Sequence, residues 1–207
     1  MAKPHLLRIL VDFDNTMVKS ALLKAFLAKK LFGVDIPPAL FRKRMVVNSW
    51  KLLTKEQYQI IREKVYRDIT TAYRLQPVDG SLHFVRALID EGHFVACVTS
   101  LQGFGVKIAK EYFAWHKLPI ECYGVGYGKS KVKRAMALKA DAFFDDDPHK
   151  LEKLAGAVPY LFLHDWLYNR SFRINPDIIE RVGDEETCAW EKFYERIHEI
   201  EDGKLDP

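Results

Sequence analysis

The chain opens on an apolar run, Leu6-Leu7-Arg8-Ile9-Leu10-Val11, and turns polar at Asp12. A short, nearly continuous apolar run predicts a strand buried on both faces, as in a parallel sheet. From Met17 to Phe32 the period changes. Leu22, Leu23, Phe26, Leu27 and Leu31 recur at helical spacing, and Gly33 supplies a stop. Pro37-Pro38 breaks the chain. Ala39 to Leu53 predicts a second helix, and Thr54 is the expected N-cap of a third over Lys55 to Tyr73. About 60 residues of helix therefore follow the first strand. A simple crossover needs only about a dozen, so this stretch predicts a small helical cap.

Pro77-Val78-Asp79-Gly80 predicts a turn and a hinge. Beyond it the pattern alternates. Ser81 to Glu91 reads as an amphipathic helix, Phe94 to Val98 as a strand ending in Thr99-Ser100, and Lys107 to His116 as a helix. Cys122 to Val125 predicts a short strand, Lys131 to Lys139 a helix capped by Ser130, and Ala142-Phe143-Phe144 a strand ending in Asp145-Asp146-Asp147. A short helix (His149 to Leu154), a last strand (Pro159 to Leu163) and a surface helix (Glu185 to Glu201) complete the chain. Strand and helix in alternation predict an α/β fold, a Rossmann-like doubly wound parallel sheet. The expected division is a core of residues 1–16 and 79–207 with a cap of residues 17–78.

Composition is that of a globular protein, with 48% hydrophobic and 29% charged residues, and no apolar run reaches membrane-spanning length. Cys97, Cys122 and Cys188 are odd in number and far apart, which fits a reducing compartment. The chain starts with no visible secretory leader, so a cytoplasmic protein is expected. Charge is uneven. Met17 to Val78 holds 13 lysines and arginines against 4 acids, a surplus of +9, which leaves −5 for the rest of a chain of net charge +4. A basic segment beside an acidic one suggests an anionic substrate between them, although a solvated basic helix surface reads the same way.

Three predicted strands end in complementary polar residues: Asp12 and Asp14, Thr99 and Ser100, Asp145 and Asp146. In a parallel sheet these ends share one edge, where ligands bind. Clustered acids repel unless a cation or a proton joins them. Their chemistry suits phosphoryl transfer: one carboxylate attacks, a second handles the proton, and hydroxyl and ammonium groups hold phosphate oxygens. Mg2+ is the matching cation, since it favours a few carboxylates with water and substrate phosphate. Lys129 and Lys131 are both candidates for the ammonium. The seven histidines (His5, His83, His93, His116, His149, His164 and His198) are scattered and read as structural or solvated. Arg42-Lys43-Arg44 reads equally as a phosphate contact or as exposed helix, and Phe41, Trp50 and Tyr58 as core or as a surface for stacking a base.

Asp12-Phe13-Asp14-Asn15-Thr16, then Val98-Thr99-Ser100, a lysine, and Phe143-Phe144-Asp145-Asp146 resemble, in order, the four motifs of the haloacid dehalogenase (HAD) superfamily. The insertion after the first motif is similar to that superfamily's C1 cap. The resemblance implies a phosphatase with Asp12 as nucleophile and Asp14 as general acid and base. It implies phosphate contacts from Ser100, or Thr99 beside it, and from Lys131, with Lys129 as the alternative. It further implies Mg2+ held by Asp12, the Asp14 backbone carbonyl and Asp145, with Asp146 behind these ligands. Thr99-Ser100, Asp145-Asp146 and Tyr168-Asn169-Arg170 are similar to the 5'(3')-deoxyribonucleotidases, whereas Asn15-Thr16 departs from the glycine and apolar residue usual there. A small phosphate monoester, with a nucleoside monophosphate first among candidates, is the implied substrate. No membrane partner is expected, and the sequence leaves the oligomeric state open. The competing readings are a module that binds a phosphorylated ligand without turnover and a phosphatase acting on a phosphorylated macromolecule, including nucleic acid.

Overall fold

The computed structural model describes residues 6–184 and 186–204. His5, Glu185 and residues 205–207 lie outside the described residues. Six strands, β1 (Arg8–Val11), β2 (Phe94–Thr99), β3 (Glu121–Gly124), β4 (Ala142–Asp145), β5 (Tyr160–His164) and β6 (Ile179–Val182), form one sheet in the order β3-β2-β1-β4-β5-β6. Every pairing is parallel, with Ile9 level with Val95 on one side and Ala142 on the other. Strand order reverses beside β1, so the carboxyl ends of β1 and β4 border the crevice where such sheets bind ligands.

Alternate strand residues fill two separate cores, as pleating requires. Ile9, Val11, Cys97, Phe144 and Phe162 face one layer with α3 (Ser81–Asp90), α4 (Phe104–Trp115) and α7 (Ala189–Glu201). Leu10, Ala96, Phe143 and Leu161 face the other with α5 (Val132–Ala137) and α6 (Pro148–Glu152). The sheet is thus covered on both faces, as its unbroken apolar strands require. The expected surface helix at the end of the chain is α7, and most of its apolar stripe is inside, with Tyr194 half-buried. Trp190, Phe193 and Ile197 are buried, with Phe193 stacked 4.5 Å from Phe144.

The segment after β1 holds α1 (Ser20–Phe32) and α2 (Lys55–Tyr66). Between them the expected helix over Ala39 to Leu53 is replaced by a 3₁₀ turn at Pro38–Leu40 and a π-helical stretch at Arg44–Ser49. Phe41, Val46 and Val47 are buried along this path, so tertiary packing overrides the local helical period there. The third helix does begin at Thr54, through a capping box in which Thr54 and Gln57 exchange hydrogen bonds of 2.9 and 3.1 Å. It stops at Tyr66, and Ile69–Tyr73 is a 3₁₀ turn. Ala25, Ala28, Ile36, Phe41, Val46 and Ile61 give this segment a small core of its own. The two chain crossings that join it to the sheet lie side by side: the Lys19 amide donates to the Gln76 carbonyl at 2.8 Å, and that of Val78 to Met17 at 2.9 Å.

Strand β6 has no counterpart in the sequence reading. Its four residues, Ile179-Glu180-Arg181-Val182, have only two apolar positions. It is an edge strand with part of its surface in solvent, and that pattern is too short to reveal a period.

His164 closes β5 between two parallel rings, 5.4 Å from Phe144 and 4.8 Å from Trp166. Its Nε2 is buried without a hydrogen-bond partner, and burial pushes its pKa down to about 4. A neutral histidine in the fold that protonates near 6.5 when unfolded adds stability above that pH and loses it as pH falls toward 4. The loss should approach about 3 kcal/mol. His164→Phe keeps the stack and removes the titration. Urea denaturation at pH 7.5 and 5.0 should show a smaller acid loss in the variant than in the wild type.

Candidate active site

Strand β1 ends at Val11, and the Asp12 amide still bonds to the Phe144 carbonyl at 2.9 Å. Asp12 therefore stands level with Asp145, the last residue of β4, and both are buried. Past Asp14 the chain reverses through Asn15, whose φ of 58° lies in the left-handed region that asparagine tolerates. Its side-chain oxygen accepts from the Ala21 amide at 3.0 Å and from the Ser20 hydroxyl at 3.2 Å, which ties this turn to the start of α1. Two indole N–H groups hold the same turn from the far end of the chain, Trp166 to the Asn15 carbonyl and Trp190 to the Thr16 carbonyl, each at 2.8 Å.

Two buried carboxylates at adjacent strand ends repel. Lys131, at the start of α5, answers with one ammonium on both: 2.6 Å from Asp12 Oδ1 and 2.7 Å from Asp145 Oδ2. Lys150, in the first turns of α6, approaches the other oxygens, 3.7 Å from Asp12 Oδ2 and 3.9 Å from Asp145 Oδ1. Burial first, then Asp145, still raises the Asp12 pKa, although Lys131 and Lys150 pull it down. Asp145 is raised by burial in the same way. Asp14 behaves oppositely. Burial works to raise it, but Lys24 at 3.6 Å and hydrogen bonds from Ser20 and the Tyr66 hydroxyl outweigh that and lower it.

Asp12, Asp145 and Asp146 each present a carboxylate oxygen within 4.8 Å of the others. Asp12 Oδ2 and Asp146 Oδ1 are buried with no hydrogen-bond partner. Unsatisfied buried anionic oxygens are costly, and a small divalent cation ligated by oxygen would satisfy both. The donor set is hard, acidic and open on the cavity side, which fits Mg2+. It differs in emphasis from the expected set, because the carboxylate of Asp146 joins the cluster while that of Asp14 turns toward the helical segment.

A cavity of about 230 Å³ lies over these acids. Its floor includes Asp12, Asp14, Asp146, Lys150 and Ser100, and its roof comes from Lys24, Phe41, Arg42, Tyr58, Arg62 and Tyr66 of the helical segment. Ser100 lines the cavity, whereas buried Thr99 turns its hydroxyl back to accept from the Leu101 amide at 3.2 Å. Lys131 is buried against the acids, while Lys129 is exposed in the neighbouring hollow.

Comparison with known proteins was made in sequence and in three dimensions. No family model matches the chain, and no curated protein matches it in sequence. Solved structures do match. A Clostridium acetobutylicum protein described as a predicted phosphatase aligns with 94% of this chain and 100% of its own, at TM-score 0.60 and 14% identity. An Ehrlichia chaffeensis HAD-superfamily hydrolase aligns with 99% and 100%, at TM-score 0.54 and 12% identity. A Haemophilus somnus protein described as a predicted phosphoglycolate phosphatase aligns with 86% and 95%, at TM-score 0.57 and 14% identity. The chain shares the α/β fold of these structures. At these identities the likeness carries the architecture and leaves the substrate to this chain's own residues.

The site also draws in residues whose contacts to the acids the sequence reading did not place: Arg42 was read there as a phosphate contact or exposed helix, Tyr168 and Asn169 only as part of a family likeness, and Lys24, Tyr66 and Lys150 were not singled out. Arg42 crosses from the roof to Asp146 at 2.9 Å and lies 4.4 Å above the Tyr168 ring, whose hydroxyl also donates to Asp146. Asn169 donates to the Asp146 carbonyl at 3.0 Å. Lys24 and Tyr66 hold Asp14, and Lys150 flanks Asp12. Only Lys150 had a local signal, since it lies one helical turn past the acidic run Asp145-Asp146-Asp147. The others come from segments whose approach to the sheet edge is set by packing. Of the aromatic candidates, Phe41 is buried and stacked on Tyr58, and Trp50 is half-exposed outside the cavity lining.

Removing Lys131 leaves the Asp12–Asp145 repulsion without its closest counter-charge. Lys131→Met should cost about 3 to 5 kcal/mol at neutral pH, measured by chemical denaturation. The cost should shrink as pH falls and the carboxylates take up protons.

Proposed function

We propose that the protein is a Mg2+-dependent phosphohydrolase of the cytoplasm that cleaves a small phosphate monoester through a phospho-aspartyl intermediate. The observation that carries this reading is Asp12 Oδ2, a buried carboxylate oxygen without a hydrogen-bond partner at the floor of a cavity walled by cations. Asp12, Asp145, Asp146 and the Asp14 backbone carbonyl would hold Mg2+. That ion would supply charge neutralisation between the anionic nucleophile and the anionic phosphoryl group.

The remaining chemistry falls to the chain. One Asp12 carboxylate oxygen attacks phosphorus while the other would remain on the cation, and the bond to the leaving oxygen breaks as the aspartyl phosphate forms. Lys131 holds the Asp12 carboxylate in place at the cavity floor. Lys150 and Ser100 bind non-bridging phosphate oxygens. Asp14 delivers a proton to the leaving oxygen, then takes one from the water that attacks the phospho-aspartate, releasing phosphate and restoring Asp12. Its resting pKa is low, but a phosphate dianion arriving beside it raises its proton affinity, as a general acid requires. The helical segment acts as a cap that keeps bulk water from this exchange. Nucleoside monophosphates and compact anionic esters are the substrate classes to separate.

Phosphate release from a panel of monoesters should depend on Mg2+ and stop with chelator. Asp12→Asn should lower kcat by at least about 1000-fold while leaving the fold intact by circular dichroism. Mg2+ should raise the wild-type Tm, and Asp145→Asn should lose that rise. Full activity in Asp12→Asn would overturn the mechanism.

A further inference from the structure

The cations on the cavity wall are not equivalent. Lys24 is committed to Asp14, and Arg42 to Asp146 and Asp147. Lys150 faces Asp12 and Asp145. Arg62, from α2, is different. Its guanidinium donates to the neutral Gln59 side chain at 3.1 Å and lies 3.8 Å over the Tyr127 ring. Among the described residues it has no carboxylate partner, yet it is half-buried in the cavity wall. A full charge held by neutral groups in a partly desolvated place is what a site for an anion needs.

The aromatic groups of the same wall offer little to a base. Phe41 is only 2% exposed and stacks on Tyr58 at 6.3 Å. The face of Tyr127 is covered by Arg62. Tyr66 spends its hydroxyl on Asp14, and Lys24 lies 5.2 Å over its ring. The cavity, at about 230 Å³, is also below the usual range of roughly 300–1,000 Å³ for small-molecule sites. Tyr127 itself stands between Gly126 and Gly128, whose φ values of 93° and 72° only glycine adopts freely.

We propose that Arg62, with Tyr58 and Tyr127, forms a subsite for a second anionic group on the substrate. The substrate is then a compact phosphate monoester whose leaving group ends in a carboxylate or a further phosphate. This rests on the phosphohydrolase reading above, and it gives the basic surplus of the helical segment a defined task. The phosphoryl group lies at the acid floor, and the second anion reaches the guanidinium, which exchanges its ring contact for a charge-assisted pair.

The test uses short alkyl phosphates with one leaving-group length and three ends: methyl, carboxylate and phosphate. A nucleoside 5'-monophosphate is the fourth ester. For the wild type, kcat/KM should favour one or both anionic ends over methyl by roughly 10- to 100-fold, and the favoured end decides between carboxylate and phosphate. Arg62→Met should bring that ratio toward unity, and Arg62→Lys should keep part of it. Preference for the methyl ester or the nucleotide would overturn the subsite, as would a ratio that survives Arg62→Met. If no ester is hydrolysed, the phosphohydrolase reading fails, and thermal shifts judge the subsite separately. Greater stabilisation by anionic than by methyl esters, lost in Arg62→Met, would support it, and equal stabilisation would overturn it.

Discussion

The repulsion between Asp12 and Asp145 governs this molecule. Sheet order puts the two strand ends side by side, and the helices on both faces keep water from them. Two buried carboxylates at that distance need positive charge from the protein. Lys131 supplies it at the cost of being buried itself, and Lys150 adds a second ammonium from the opposite side. Helices α5 and α6 are both short, and each begins close to its lysine or to the acids. The lysines leave Asp12 Oδ2 without a hydrogen-bond partner, and Asp146 Oδ1 is in the same position. In the proposed reaction this residual shortage of positive charge makes room for Mg2+.

The same electrostatics sets Asp12 and Asp14 apart. Asp12 is pushed up by burial and Asp145, whereas Asp14 is held down by Lys24, Ser20 and Tyr66. In the proposed reaction the cation would pull the Asp12 pKa down and the phosphate dianion would push that of Asp14 up, so each bound species would act on one residue.

Distant parts of the chain converge to hold this arrangement. The C-terminal third supplies Trp166 and Trp190 to the backbone of the Asp12–Thr16 turn, and Tyr168 and Asn169 to Asp146. The helical segment supplies Tyr66 and Lys24 to Asp14, and Arg42 to Asp146. Part of the basic surplus of that segment is therefore committed charge: Lys24 and Arg42 pair with acids of the candidate site, and Arg62 faces the cavity with no acidic partner among the described residues.

The sequence by itself determined the class of fold and the edge of the sheet that carries the chemistry. Buried parallel strands need continuous apolar runs, and polar residues at their carboxyl ends must then converge, so Asp12, Ser100 and Asp145 were legible from local pattern alone. The N-cap at Thr54 was legible for the same reason, since it is a contact within four residues. Several features depended on contacts between distant residues, and these only the tertiary structure decided. The sequence favoured Lys131 and kept Lys129, two residues away, as the alternative, because the side-chain direction that brings Lys131 to the acids depends on how α5 meets the sheet. The burial of Trp190 and Phe193, the irregular path from Pro38 to Ser49 and the existence of β6 likewise follow from which surface each segment meets. Of the cavity roof, Arg62 and Tyr66 carried no signal in the chain and Arg42 and Tyr58 left two readings open, since only packing aims them at the charges below.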